Sequence, residues 1–107
     1  MKHTDKLLGI VTRHGLNVQK RKFAEESFEL IEALTEYECD IQWEDYDARS
    51  VSCDKAAITE ELADCIVLLR QFICFFKIPE DEVEKWVEYK INRTIERMND
   101  GKDKDNK

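Results

Sequence analysis

The sequence predicts an all-α protein built as a four-helix-type bundle. Apolar residues recur at helical spacing through long segments. The 107 residues include only three Gly and one Pro, too few for the frequent turns of a β-sandwich or barrel. The chain has the length of one domain with one modest core. We therefore expect a single helical domain over residues 1–100 and a charged, disordered tail over residues 101–107.

Two helices are predicted in the first part of the chain. The first covers residues 4–14 and ends near Gly15, a natural C-terminal cap. The second starts at Asn17, a suitable N-cap, and extends to about residue 39 with apolar residues at helical spacing.

Two further helices are predicted after a polar segment. Residues 40–52 are rich in Asp and are expected to form a loop. Residues 54–76 are apolar around most of the helical circumference, which predicts a central helix buried on several sides. Pro79 suits the first position of the last helix, which runs to about residue 98.

Composition excludes several classes of protein. A formal net charge of −7 argues against a nucleic-acid-binding surface. No apolar run approaches the roughly 20 residues that cross a bilayer, and the first residues do not have the pattern of a signal peptide. We expect a cytoplasmic protein without a membrane partner. The four cysteines lack zinc-ligand spacing, so reduced thiols are expected, with Cys65 and Cys74 buried as small apolar residues.

Acidic residues interrupt the apolar faces of the second and third helices. At about 100° per residue, Glu26 falls within the apolar arc of the second helix and Glu29 at its edge, whereas Glu25 falls outside it. Glu61 and Asp64 likewise face an apolar sector of the third helix. Buried carboxylates need cations or hydrogen bonds to compensate their desolvation.

The spacing of these acids predicts a metal site. Each helix presents its pair at positions i and i+3, on one face, and two facing helices would form a cage of carboxylate oxygens. Such a cage without His or Cys selects a hard cation such as Mg²⁺, which shares its coordination with substrate phosphates. The alternative is that these acids are ordinary solvated residues or salt-bridge partners.

Basic and aromatic residues suggest a nucleotide. Lys90, Arg93 and Arg97 share one stripe of the fourth helix, and Lys22 aligns with the acids of the second; these side chains suit the phosphates of a triphosphate. They could equally pair with acids on their own helices. Trp43, in the loop with Tyr46, could stack on a nucleobase or fill a core.

Two segments, KFAEESFELIEAL and ITEELADCIVLL, resemble the EExxE and ExxD signature of the MazG-like all-α NTP pyrophosphatases. The segment YKINRTIERM is similar to the Lys and Arg motif of that family's last core helix. Gln19 has counterparts in the family's small phage and bacterial members, and the resemblance implies that it binds substrate. The match covers residues 15–98. The resemblance implies that Mg²⁺, with Mn²⁺ as an alternative, binds to these acids: Glu26, Glu29, Glu61 and Asp64. It also implies a homodimer or a dimer of dimers.

The resemblance also implies the activity, which is hydrolysis of a (d)NTP to the (d)NMP and pyrophosphate. Such an enzyme would have a housekeeping role in the nucleotide pool. Glu25 would act as a supporting group or base, and the phosphates would be bound by these residues: Lys22, Lys90, Arg93 and Arg97. The connection over residues 30–60 is longer than in compact members, which leaves base recognition open. Two other hypotheses are a non-catalytic nucleotide- or metal-binding module and an acidic helical interaction protein.

Overall fold

The computed structural model describes residues 1–101, which contain four α-helices and no strand. The helices are α1 (Thr4–His14), α2 (Leu16–Asp40), α3 (Ala48–Phe75) and α4 (Glu80–Asn99). The prediction of an all-α protein with four helices is confirmed. Of the segment predicted to be a disordered tail, residues 102–107 lie outside the described part of the chain.

A single glycine separates α1 from α2. Gly15 has a φ of 89°, a conformation that side-chain-bearing residues rarely adopt, and its N–H donates to the carbonyl of Val11 at 2.8 Å. The next helix begins immediately, at Leu16. The expectation that Asn17 caps α2 was therefore wrong, because Asn17 already lies in the first helical turn.

The connection between α2 and α3 is shorter than expected. The predicted loop over residues 40–52 is reduced to residues 41–47, because α2 includes Asp40 and α3 begins at Ala48. Asp47 causes this early start, since its carboxylate accepts the backbone N–H of Ser50 at 3.0 Å and the Ser50 hydroxyl at 3.2 Å. Such an N-cap satisfies backbone donors that the first helical turn leaves unpaired.

The chain divides into two compact units, and the larger extends from Lys2 to Phe76. In this unit α1 packs on both α2 and α3. The helices α2 and α3 are antiparallel, because Gln19 is bonded to Gln71 near one end and Glu26 lies against Glu61 further along. The apolar core consists of these buried residues: Leu7, Val11, Cys65, Leu68 and Cys74. Burial of the two cysteines confirms their prediction as small apolar residues.

The central helix is covered less completely than the sequence suggested. Its buried positions form one stripe that includes Cys65 and Leu68. Leu62, Ile66 and Leu69, spaced at i, i+4 and i+7, are 44%, 42% and 47% exposed. The expectation that α3 is buried on several sides is wrong for a single copy of the chain, because α1 and α2 cover one face of it.

In the described part of the chain, the second unit consists of Met1 and residues 77–101, and it contains α4. Pro79 immediately precedes α4, and the first turn carries three acids that favour a helix N-terminus. Within this helix the rings of Trp86 and Tyr89 pack edge to face, with centroids 5.7 Å apart. None of the helices in residues 1–101 is long and apolar enough to cross a membrane.

Candidate metal centre

Three carboxylates converge where α2 faces α3. Glu26, Glu29 and Glu61 each offer a carboxylate oxygen, and these oxygens all lie within 4.8 Å of one another. The spacing of three residues brings Glu26 and Glu29 to the same side of α2, and the antiparallel register places Glu61 against them. Three of the four residues predicted as metal ligands are therefore gathered in one cluster.

Two oxygens of this carboxylate cluster are buried without a partner. Glu26 Oε2 and Glu61 Oε2 are inaccessible to solvent and have no hydrogen-bond partner in residues 1–101. The Glu26 side chain as a whole is only 14% exposed. A buried polar atom that makes no hydrogen bond loses the free energy of its hydration without compensation. Native proteins rarely keep such atoms unpaired, and both oxygens belong to residues that the sequence predicts as metal ligands.

Burial and neighbouring acids disfavour the charged form of Glu26. Its pKa is raised above the ordinary 4.5 mainly because burial removes water from the carboxylate. A hydrogen bond with Glu29, and then the negative charges of Glu29 and Asp64, raise this pKa further. The Lys22 ammonium, 3.7 Å from Glu26 Oε1, opposes the shift but does not reverse it.

Glu61 is perturbed in the same direction. Burial is again the largest cause of its raised pKa, followed by the negative charges of Asp64, Glu26 and Glu60. A hydrogen bond with Glu29 lowers the pKa in part. Both glutamates would therefore hold protons more readily than in water, unless a cation compensates their charge.

The donor set fits Mg²⁺. It consists of carboxylate oxygens, which are the ligands of hard divalent cations, and no His or Cys in residues 1–101 belongs to the cluster. A cation would satisfy both unpartnered oxygens and offset the repulsion that raises the two pKa values. Mg²⁺ keeps open positions for water and phosphate when a protein supplies few carboxylates.

Asp64 lies beside the cluster and not within it. It is close enough for its charge to raise the pKa of both Glu26 and Glu61. Together with Glu26 it lines a cavity of about 550 Å³ between α1, α2 and α3. Asp64 is thus placed to reach a ligand that occupies this cavity next to the cluster.

The cavity also brings together two residues predicted to bind substrate. Lys22 and Gln19 line it, about one and two helical turns before Glu26 of α2. Gln71 of α3 lines it as well and was missed by the sequence analysis. The available signal was a polar residue within the apolar stripe of α3, seven positions after Asp64.

Other predicted site residues lie elsewhere. Glu25 is exposed, beside Arg21 and Lys22. Trp43 is 69% exposed and lines a separate cavity of about 380 Å³. Three residues belong to α4 in the second unit, and their role in phosphate binding stays a prediction: Lys90, Arg93 and Arg97. Within that unit the Lys90 ammonium lies 5.8 Å from the centre of the Trp86 ring.

Tyr46 helps to hold the connection between α2 and α3. Its ring packs edge to face on Tyr37 at 6.5 Å, and its hydroxyl donates to Asp54 Oδ2 at 3.1 Å. Burial, and then this bond, raise the pKa of Tyr46 to about 12. Burial, followed by a hydrogen bond with Asp54, also raises the pKa of Asp40. Of the two interpretations of these aromatics, packing accounts for Tyr46, whereas stacking of Trp43 on a base stays a prediction.

Comparison with protein-family models finds no match, and neither a curated protein nor a solved structure is significantly similar to this chain. The resemblance to MazG-like pyrophosphatases therefore rests on the motifs alone. The carboxylate cluster lies at the acidic positions of these motifs.

Proposed function

We propose that this protein is a divalent-metal-dependent pyrophosphohydrolase of the MazG-like kind, which converts a nucleoside triphosphate into its monophosphate and pyrophosphate. One observation carries the proposal: two unpartnered buried carboxylate oxygens, on facing helices, lie within a cluster of three glutamates. Ordinary surface acids would be solvated or paired with cations. A cluster that opens on a cavity suits a ligand that brings phosphates and a metal ion together.

Each residue of the cluster has a distinct part in this proposal. Glu26, Glu29 and Glu61 hold Mg²⁺, and Asp64 completes the acidic wall on the cavity side. When bound, Mg²⁺ supplies Lewis-acid polarisation at the phosphoryl group and neutralises part of the triphosphate charge. Glu25 is exposed and outside the cluster, so its role is support of the neighbouring acids or acceptance of a proton from water at the edge of the site.

Phosphate binding falls to the basic residues. Lys22 lines the cavity, and its ammonium forms an ion pair with Glu26. A triphosphate would provide this cation with a stronger partner, since charge-assisted hydrogen bonds to phosphate are short and strong. Lys90, Arg93 and Arg97 of α4 are proposed to bind the outer phosphates. A substrate of this kind also fits the proposed cytoplasmic location.

A homo-oligomer, either a dimer or a dimer of dimers, is part of the proposal. The stripe of Leu62, Ile66 and Leu69 on α3 is nearly half exposed in a single copy. On α2, Phe28 and Ile31 are 61% and 58% exposed. Contiguous apolar surface of this kind is typical of an interface. Analytical ultracentrifugation should find a dimer or tetramer, and Ile66→Glu should shift it toward the monomer; a wild-type monomer would refute this part.

The reaction is tested with canonical and modified NTPs and dNTPs in the presence of Mg²⁺, Mn²⁺ or EDTA. Chromatography identifies the nucleotide product, and pyrophosphate is measured separately from orthophosphate. We expect pyrophosphate and matching monophosphate with either metal, none in EDTA, and none from Glu61→Gln. The control is Glu32→Gln, which changes an exposed glutamate of α2 and should leave turnover unchanged.

Other outcomes would favour the remaining hypotheses. Binding of metal and nucleotide by a folded protein, without any product, would indicate a non-catalytic sensor or partner module. Absence of any thermal shift with Mg²⁺ and nucleotide would indicate a helical interaction protein, because only a ligand that prefers the folded state raises its stability.

A further inference from the structure

A buried pair of glutamines joins α2 to α3 at the end of the cavity away from the carboxylate cluster. Gln19 Nε2 donates a hydrogen bond to Gln71 Oε1 at 2.8 Å. The two residues are only 3% and 2% exposed, and both line the 550 Å³ cavity. Long polar side chains are seldom buried to this extent in an otherwise apolar core.

The mutual bond leaves hydrogen-bonding capacity on both side chains. A primary amide has two N–H donors and an oxygen that can accept two bonds. The bond between them uses one donor of Gln19 and one acceptor site of Gln71. The bond leaves the oxygen of Gln19 as an acceptor and the amino group of Gln71 as a donor for an additional partner.

The position of the pair relative to the acids suits a nucleotide. Gln19 precedes Glu26 by seven residues on α2, and Gln71 follows Asp64 by seven residues on α3. Because the helices are antiparallel, each glutamine lies on the same side of its acid, two helical turns or about 10 Å away. Lys22 lies between the two ends on α2. The cavity thus has acids at one end, neutral amides at the other and a cation between them. A sugar and a base can span the distance between the two ends.

Apart from His14 of α1, the other walls of the cavity are apolar. Ile10 of α1, Val18 of α2, and Val67 and Leu68 of α3 line the cavity. Apolar side chains suit the faces of a planar heterocycle, while the amide pair suits its polar edge. Cavities of roughly 300–1,000 Å³ with a few convergent polar groups are typical of small-molecule sites.

We propose that the Gln19–Gln71 pair is the base-recognition element of the site. The pair forms hydrogen bonds with adjacent donor and acceptor atoms on the edge of a nucleobase, and the phosphates of the same molecule lie at the carboxylate cluster. This inference rests on the proposed function, because it assigns the base end of the same substrate. It makes Gln71 a specificity-determining residue that neither acidic motif includes.

The pair is tested by equilibrium binding of α,β-imido triphosphates, which resist cleavage at the α–β bond, measured by calorimetry with Mg²⁺. Uracil and guanine nucleotides are each compared with the analogue methylated at the ring nitrogen, which removes the donor from the base edge. We expect the wild type to prefer the unmethylated form of at least one base by about 10-fold to 100-fold, since an unmade hydrogen bond leaves buried amide atoms unpaired.

The variant Gln19→Leu/Gln71→Leu replaces both amides by apolar groups of similar shape, a change that costs less stability than removal of one partner. We expect it to bind both forms of each base equally. Gln42→Leu is the matched control, because Gln42 is an exposed glutamine bonded to the backbone of Glu38; it should keep the wild-type preference. Circular dichroism and thermal melting verify folding, and Gln71→Met, which changes one residue only, serves as a second variant.

Several outcomes would overturn the inference: no binding of any analogue by the wild type, no preference for the unmethylated base, or a preference that persists in the leucine variant. Turnover of the parent nucleotides, measured in parallel, distinguishes a failure of this inference from a failure of the proposed function. Pyrophosphate release with an unchanged base preference in the variant refutes the glutamine pair alone. Loss of preference without pyrophosphate release by the wild type supports the pair and refutes the reaction.

Discussion

Replacement of Glu61 by Gln should change the stability of the protein in opposite directions without and with Mg²⁺. Without metal, the variant removes a buried carboxylate whose charge is disfavoured by burial and by Asp64 and Glu26. Its amide can donate a hydrogen bond to Glu26 or Glu29 in place of that repulsion. The metal-free variant should therefore melt at a higher temperature than the wild type at pH 8.

With Mg²⁺ the order should reverse, because Glu61 is one of the three carboxylates of the cluster. Loss of a residue that only orients a metal-binding side chain weakens metal binding by about 10-fold to 100-fold. Loss of Glu61, which is proposed to bind the metal directly, should therefore weaken Mg²⁺ binding by at least about 100-fold. At 100 times its Kd, a ligand stabilises the folded state by about 2.7 kcal/mol, and at its Kd by about 0.4 kcal/mol. The difference of about 2 kcal/mol corresponds to a shift in Tm on the order of 10 °C.

The assay is thermal melting followed by circular dichroism, across a series of Mg²⁺ concentrations at pH 8. Glu32→Gln is the matched control, since it removes the same charge from an exposed position of α2; its Tm should respond to Mg²⁺ as the wild type does. An equal Mg²⁺ response in Glu61→Gln and the wild type would refute the assignment of Glu61 as a ligand. A metal-free variant that melts far below the wild type would refute the proposed electrostatic strain.

Further predictions concern pH, capping and phosphate binding. The pKa values of Glu26 and Glu61 are raised above the ordinary 4.5 in the folded state, so the folded state binds more protons than the unfolded state. The free energy of unfolding should therefore fall as pH rises from 4.5 through the pKa values of the folded state. Melting from pH 4.5 to 8 without metal should show this decline, and a variant with both residues changed to Gln should lack that part of it. Asp47→Ala removes the N-cap bond from Asp47 to the backbone N–H of Ser50. It should lower the free energy of unfolding, measured by chemical denaturation, by about 1 kcal/mol. Lys22→Met should raise KM for triphosphate more than it lowers kcat, whereas an unchanged KM would exclude phosphate binding by this lysine.

The helices were largely predictable because apolar spacing and strong helix-ending signals define them. Gly15 ends α1 as expected. The early start of α3 was missed, because polar residues after Asp47 resemble a loop in composition, while the capping bond to Ser50 depends on backbone geometry. The exposure of one face of α3 was also not predictable, since an apolar circumference does not reveal which neighbour covers it.

The candidate site was predictable to the extent that its residues share local spacing. The acids of each helix follow from i and i+3 positions within apolar arcs, and the structure brings Glu26, Glu29 and Glu61 together. The unpartnered state of two of their oxygens depends on packing between distant segments, which no periodicity predicts. Gln71 was missed for the same reason, because its pairing with Gln19 spans 52 positions of the chain.

The most direct test of the central claim is a titration with Mn²⁺ followed by electron paramagnetic resonance, which detects the free ion. The wild type should remove the free-ion signal by saturable binding that excess Mg²⁺ reverses, and the variant Glu26→Gln/Glu61→Gln should leave most of the signal in place. If the wild type leaves the signal unchanged, or if the double variant binds Mn²⁺ equally well, the carboxylate cluster is not a metal centre.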